Sequence, residues 1–300
     1  MTRNVRSLAA AALFACTAPL ARADWSALNM PQGVTAISRQ IYGLHMLVFW
    51  ICVWIGVAVF SVMIYSIIKF RKSAGAIADR NFTHNTGIEI AWTIVPIAIL
   101  IAIAIPSARV LLETEDTRSS ELTIKVTGFQ WRWQYDYLDA GVVFFSTLSR
   151  DSNTARELQS GIDPNTVPNY LLSVDHPLVV PVGIKVRLLV TGQDVIHSWW
   201  VPVFGVKKDA IPGLVNEAWF KVDADKPGLY RGQCAELCGR DHGFMPIVVD
   251  AKTKADYAVW LKAQQIEQKQ AAAPATARND AVRPAADAPP AKITRTAAAY

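Results

Sequence analysis

The chain has 300 residues, enough for about two domain-sized units, and 52% of them are hydrophobic against 18% charged. That balance, with a positive mean hydropathy, is high for a soluble protein and points to membrane segments. The net charge of +5 does not mark a nucleic-acid binder: from Glu113 to Lys262 there are 16 Lys and Arg against 19 Asp and Glu, and the positive excess lies elsewhere.

Residues 1–23 carry basic Arg3 and Arg6, an apolar stretch from Leu8 to Ala18, and Ala21-Arg22-Ala23 at the end. That is the layout of a secretory signal peptide with small residues at the cleavage point, so cleavage before Asp24 and export are expected. Leu13-Phe14-Ala15-Cys16 makes a poor lipobox because Phe14 is bulky. Residues 24–112 then form a predicted transmembrane hairpin. Its first span, about 41–68, is uncharged and exceeds the ~20 residues needed to cross a bilayer. The second, about 90–112, includes Pro96 and Pro106, which neighbouring helices can accommodate. The loop between them holds Lys69, Arg71, Lys72 and Arg80 against Asp79. By the positive-inside rule that loop is cytoplasmic, and both ends of the hairpin face the exported side. Glu89 stands at the cytoplasmic mouth of the second span. It is either a functional intramembrane carboxylate or an acid favoured by a helix N-terminus.

From Glu121 the pattern changes to period two. Leu122, Ile124 and Val126 alternate with polar residues, and residues 178–190 are valine-rich and broken by Pro181 and Gly183. Further short runs at 217–222, 228–231 and 245–249 predict an antiparallel barrel or sandwich over residues 113–267. Residues 149–168 read as a polar surface excursion between strands. Thr253 and Asp256 form a capping box for a helix that presents Tyr257, Trp260 and Leu261 on one face. Residues 268–300 are Ala-, Pro- and Arg-rich and read as a disordered tail.

Of four cysteines, Cys16 falls in the signal peptide and Cys52 in an apolar run, which leaves Cys234 and Cys238 for chemistry outside the membrane. His242 follows four residues after Cys238, and Met245 three further on. Two thiolates, an imidazole and a thioether favour copper over zinc, which has little use for a thioether. Gly232, Gly239, Gly243 and Pro246 argue for a tight loop, not a helix. A second imidazole is best supplied by His197, at the end of an apolar strand, because His176 precedes Pro177 at a turn.

These motifs bring a family into view. Val195-Ile-His-Ser-Trp199, Lys208-Asp-Ala-Ile-Pro-Gly213 and the Cys234–Met245 loop resemble subunit II of haem–copper cytochrome c oxidase. The two-span hairpin and Gly128-Phe-Gln-Trp-Arg-Trp133 match that family in the same order, and the likeness runs from about Trp25 to Lys262. The resemblance implies a membrane-anchored all-β protein, a two-helix transmembrane hairpin followed by a cupredoxin-like Greek-key β-barrel. It implies a dinuclear copper A centre held by Cys234, Cys238, His197, His242, Met245 and the carbonyl of Glu236. The Glu236 side chain would reach a magnesium or manganese ion at the interface with the catalytic subunit. Trp131 matches the tryptophan that accepts electrons from cytochrome c. Asp136, Asp175 and Asp194 fall near positions that face that cytochrome. The chain departs from its relatives after Tyr137, where residues 138–145 are poor in acids, and this puts the docking footprint in doubt. Glu89 matches the entrance of a proton channel. The implied partners are subunit I with its haems, subunit III, cytochrome c and membrane lipid. The implied location is a bacterial inner membrane, with both termini and the copper domain on the periplasmic side.

Three rivals share some features. A quinol-oxidase subunit of the same fold would lack both cysteines. A copper A domain of a nitrous-oxide-reducing enzyme would lack the hairpin. A membrane-tethered copper chaperone would need an exchangeable site and have no use for Trp131. No Cys-x-x-Cys-His occurs, so a fused haem c domain is excluded.

Overall fold

The computed structural model describes residues 28–77 and 83–272. The signal-peptide reading, Cys16, Asp79, Arg80 and the tail from residue 273 onward lie outside them. Helix α1, Ala36–Lys69, and helix α2, Thr86–Thr114, are each longer than the spans expected and are long and apolar enough to cross a membrane. Each start is capped by a side chain. Thr35 Oγ1 accepts from Ser38 N at 3.0 Å, and Asn85 Oδ1 accepts from Ile88 N at 3.2 Å. Such caps satisfy amide groups that have no partner within the helix. Pro96 and Pro106 both lie inside continuous α2.

Among the described residues, ten strands in two five-stranded sheets follow α2. The first sheet, in the order β3-β2-β1-β5-β8, comprises β1 Leu122–Phe129, β2 Arg132–Tyr137, β3 Val142–Ser146, β5 Val186–Gly192 and β8 Asn216–Phe220. The second, ordered β4-β10-β9-β6-β7, comprises β4 Leu178–Pro181, β6 His197–Val201, β7 Val206–Ala210, β9 Gly228–Cys234 and β10 Pro246–Lys252. This is a cupredoxin-like sandwich. It departs from the wholly antiparallel expectation, because β1 runs parallel to β5 and β10 parallel to β4. The cause is topological: β1 and β5 are central neighbours separated by a long crossover, which no hairpin can join.

Strand β5 shows the period-two logic directly, with Val186, Leu188 and Val190 buried and the residues between them partly exposed. The two inner faces meet on Ile124, Val126, Trp133, Tyr135, Trp199, Phe204 and Phe220, all essentially removed from solvent. Tyr137 ties the sheets together: its hydroxyl donates to Val179 O at 2.6 Å and accepts from Val179 N at 3.0 Å.

The hairpin is bolted to the sandwich at both helix ends. At the start of α1, Val34 N donates to Val203 O at 2.9 Å and Thr35 Oγ1 to Phe204 O at 2.9 Å. At the end of α2, Trp219 Nε1 donates to Glu113 O at 3.1 Å, and Lys208 pairs with Glu115 at 3.0 Å.

Two expectations change. Residues 149–168 are no mere surface excursion: they hold helix α3, Arg150–Ala155, with Ser152 and Ala155 buried, and Arg156 reaches the cysteine loop. The C-terminal helix α4, Lys254–Ala272, continues past residue 267, so the tail cannot begin at 268. Its start follows the capping prediction, with Asp256 N donating to Thr253 Oγ1 at 3.2 Å. Trp260 then packs on Tyr137, with ring centroids 5.3 Å apart.

Candidate metal centre

The site forms where β9 ends beside the start of β6. Trp199 stands opposite Cys234 in that antiparallel pair, which leaves His197, two residues earlier, at the mouth of the loop that follows Cys234. The loop returns through a short 3-10 turn, His242–Phe244, into β10. One imidazole nitrogen of His197 and the sulfurs of Cys234 and Cys238 lie within 4.8 Å of one another, and all three residues are buried. The two sulfurs are 3.9 Å apart. Cys238 Sγ is 3.5 Å from His242 Nδ1 and 3.5 Å from Met245 Sδ. Cys234 Sγ lies 3.4 Å from the carbonyl oxygen of Glu236. All six residues expected to ligate a metal therefore converge on one pocket.

The orientation of His197 is set by Asp194, whose carboxylate Oδ1 lies 2.9 Å from Nε2. An ionised carboxylate only accepts, so Nε2 carries the proton there. Nδ1 is buried without a hydrogen-bond partner among the described residues. A buried, unpaired imidazole nitrogen beside two thiols is what a metal ligand looks like before its ion is counted. The soft donor set of two thiols, two imidazoles and a thioether fits copper.

Electrostatics support the grouping. Burial alone would lift the Cys234 thiol, but the adjacent His197 imidazole and the Ser198 and Glu236 backbone outweigh it, and the net shift is downward. Burial and the neighbouring Cys234 push Cys238 up to about 12. Burial works against a charged His197, yet Cys234 and Asp194 hold it above its ordinary value. Burial of two sulfurs side by side disfavours holding both as thiolates, a cost that a bound cation would offset.

Two glycines make room. A Cβ on Gly128 would stand 2.7 Å from His197 Cδ2, so only glycine lets β1 pass that close to the ring. Gly239 has φ +114, and a Cβ there would lie 3.2 Å from Trp131 Cζ2, a conformation and a contact that both favour glycine.

Trp131 is half-buried on the rim. Its indole Nε1 donates to Cys238 O at 3.2 Å, and Gln130 Nε2 donates to the same carbonyl at 2.9 Å. The Arg240 guanidinium lies 5.6 Å from the Trp131 ring centre. Glu236 is exposed, while its backbone carbonyl faces the Cys234 sulfur.

The three acids expected to face a partner prove unlike one another. Asp194 accepts from Gln130 N at 2.8 Å and Val195 N at 2.7 Å besides holding His197. Asp175 is exposed but spent on Thr147, accepting from its backbone and hydroxyl, each at 2.7 Å. Asp136 is half-buried in β2, opposite Lys125 and Val143. Glu89 lies far along the chain in the first turn of α2. Sequence reasoning missed the role of Asp194 in aiming His197, although their i, i+3 spacing was visible. It also missed Arg156, which pairs with Asp241 at 3.5 Å; nothing local in the sequence links those two.

Two family models match the chain: the periplasmic domain of cytochrome c oxidase subunit II over residues 122–252, and the transmembrane domain of the same subunit over residues 23–110. Cytochrome c oxidase subunit 2 of Cereibacter sphaeroides is 38% identical over 234 residues, covering 75% of this chain and 76% of that protein. The probable cytochrome c oxidase subunit 2 of Rickettsia bellii is 40% identical over 226 residues, covering 75% and 79%. A crystal structure of the periplasmic domain of a Bradyrhizobium japonicum cytochrome oxidase subunit II is 43% identical, covering 50% of this chain and 98% of that one, with a TM-score of 0.43.

Proposed function

Since the chain belongs to the cytochrome c oxidase subunit II family, we propose that it is the electron-accepting subunit of a bacterial inner-membrane oxidase. It takes electrons from cytochrome c at a dinuclear copper A centre and passes them to haem in subunit I. Reduction of oxygen to water and the coupled proton pumping belong to that partner, with subunit III completing the assembly. The hairpin would place the sandwich on the periplasmic side, with residues 113–267 as the copper domain.

The observation that carries this reading is the convergence of His197, His242, Met245 and the Glu236 carbonyl around the buried sulfurs of Cys234 and Cys238. When bound, the paired coppers supply one-electron storage shared across two bridging thiolates. The chain's own residues do the rest. Cys234, Cys238, His197, His242 and Met245 would hold the metal, and burial of the two sulfurs would exclude water and limit rearrangement. Trp131 receives the electron at the rim; its hydrogen bond to Cys238 O gives a short bonded route inward. Glu236 would hold magnesium or manganese against subunit I through its exposed carboxylate, the hard oxygen ligand such ions take. Glu89 would admit protons to a channel in subunit I. Asp136, Asp175 and Asp194 would orient cytochrome c electrostatically, an effect that weakens with salt.

Metal analysis and spin-resonance spectroscopy of the purified complex test the reading. The expected result is two coppers per chain outside subunit I, with one unpaired electron shared equally between them. A single zinc or a mononuclear copper at Cys234 and Cys238 would refute it.

A further inference from the structure

We propose that Arg156, in the segment between β3 and β4, is a positioning residue that holds the His242 limb of the metal loop; this rests on the copper A reading above. The residue grips both ends of the turn that carries His242. On one side its Nη1 is 3.5 Å from Asp241 Oδ1. On the other its guanidinium lies 4.3 Å from the centre of the Phe244 ring. The turn between these points is closed by hydrogen bonds from Phe244 N to Asp241 O at 2.9 Å and from His242 N to Gly239 O at 3.2 Å. Opening that turn would carry the His242 backbone away from Cys238.

Arg156 is itself anchored. Its Nε donates to Asn153 Oδ1 at 2.8 Å, and α3 is seated by Ser152, whose buried hydroxyl accepts from Leu171 N at 3.2 Å. Arg240 also pairs with Asp241, at 3.3 Å, but its side chain is 82% exposed against 27% for Arg156. An exposed pair is screened and mobile. A planar guanidinium fixed by a hydrogen bond, an ion pair and an aromatic face is not, and lysine cannot reproduce that geometry. Asp241 is largely shielded, at 14% exposure. Without Arg156 it would present a less compensated negative charge one residue from a ligand. That charge favours the oxidised, more positive state of the centre and so lowers its potential.

The experiment compares wild type with Arg156→Met, which keeps the side-chain length and removes charge and plane, and with Arg156→Lys, all in the detergent-purified complex. Three quantities are read: copper release to a chelator, the midpoint potential of the centre, and its copper hyperfine pattern. Arg156→Met should release copper about tenfold faster, which corresponds to about 1.4 kcal/mol, with a lower potential and a broadened hyperfine pattern. Arg156→Lys should fall between it and wild type. If Arg156→Met does not assemble, Arg156→Lys and Asp241→Asn carry the same test through faster release and an altered hyperfine pattern. Wild-type release rate and hyperfine pattern in the variants would overturn the proposal. A wild-type complex without a two-copper centre would instead refute the underlying reading, before any variant is compared.

Discussion

Replacing Gly128 by alanine should disable the metal centre without touching a ligand. Gly128 sits in β1, between β2 and β5 in its sheet, so its backbone cannot yield outward. An added Cβ would lie 2.7 Å from His197 Cδ2, 2.9 Å from Cγ and 3.0 Å from Cβ. Carbon atoms rest at about 3.5–4.0 Å, so the overlap approaches 1 Å at the nearest atom. His197 has no free space to enter. It is fully buried, its ring centre is 6.0 Å from that of Trp133, and its Nε2 is held by Asp194. Overpacking of this kind costs about 1–3 kcal/mol, and relief comes most readily by rotating the imidazole off its present line. Gly128→Ala should therefore retain fold and membrane insertion but lose most of its copper, measured as copper per chain against haem in the purified complex. Gly243→Ala is the control, since a Cβ there meets nothing within 4 Å, although Gly243 lies beside a ligand. Full copper occupancy in Gly128→Ala, or equal loss in both variants, would refute the steric reasoning.

Asp194→Ala removes one acceptor from three donors, His197 Nε2, Gln130 N and Val195 N. It should shift the spectrum of the copper centre even with no cytochrome c present; an unchanged spectrum with only a salt-dependent rise in KM would mean that the residue serves docking alone. Glu217 is held below the ordinary carboxylate value by Arg187 first and Thr117 second. A depressed folded value means that the stabilisation is present above the ordinary carboxylate pKa and is lost as pH falls through the lower folded one. Wild type should thus unfold later than Glu217→Gln at neutral pH, by a modest margin because the pair is partly exposed, and the two should converge in acid. A gap that widens below pH 4 would contradict this.

The parts of the fold legible in the sequence were those governed by local periodicity. The two spans, the period-two run at Leu122, Ile124 and Val126, and the Thr253 capping box all depend on neighbours within a few positions. The cysteine loop was legible for a related reason: Cys234, Cys238, His242 and Met245 fall within twelve residues, so their chemistry can be read without a fold. His197 could be inferred only because the loop lacked a second imidazole. What stayed hidden depends on contacts across long chain separations. The parallel pairing of β1 with β5 joins residues some 64 positions apart, such as Leu122 and Val186, and alternation alone does not distinguish parallel from antiparallel partners. Residues 149–168 looked like an excursion because they are polar, and polarity is a poor guide where a polar group such as Arg156 is satisfied by a distant acid and an aromatic ring.

The supports of the centre come from a different part of the chain than its ligands. Every sulfur and one imidazole belong to a single stretch, 234–245, and such a loop taken alone would be free to change shape with its charge. Its freedom is removed by residues that bring no metal chemistry: Gly128 and Asp194 fix His197 from β1 and the loop before β6, Gln130 and Trp131 hold the Cys238 carbonyl, and Arg156 closes on the turn at His242. Three separate segments thus hold the loop and the histidine that faces it. A centre that must gain and lose an electron with little rearrangement needs that arrangement more than it needs additional ligands. The same contacts give Trp131 a second consequence: the indole proposed to receive the electron is itself one of the struts, so a change there should disturb the cysteine loop as well as the proposed rate of electron entry.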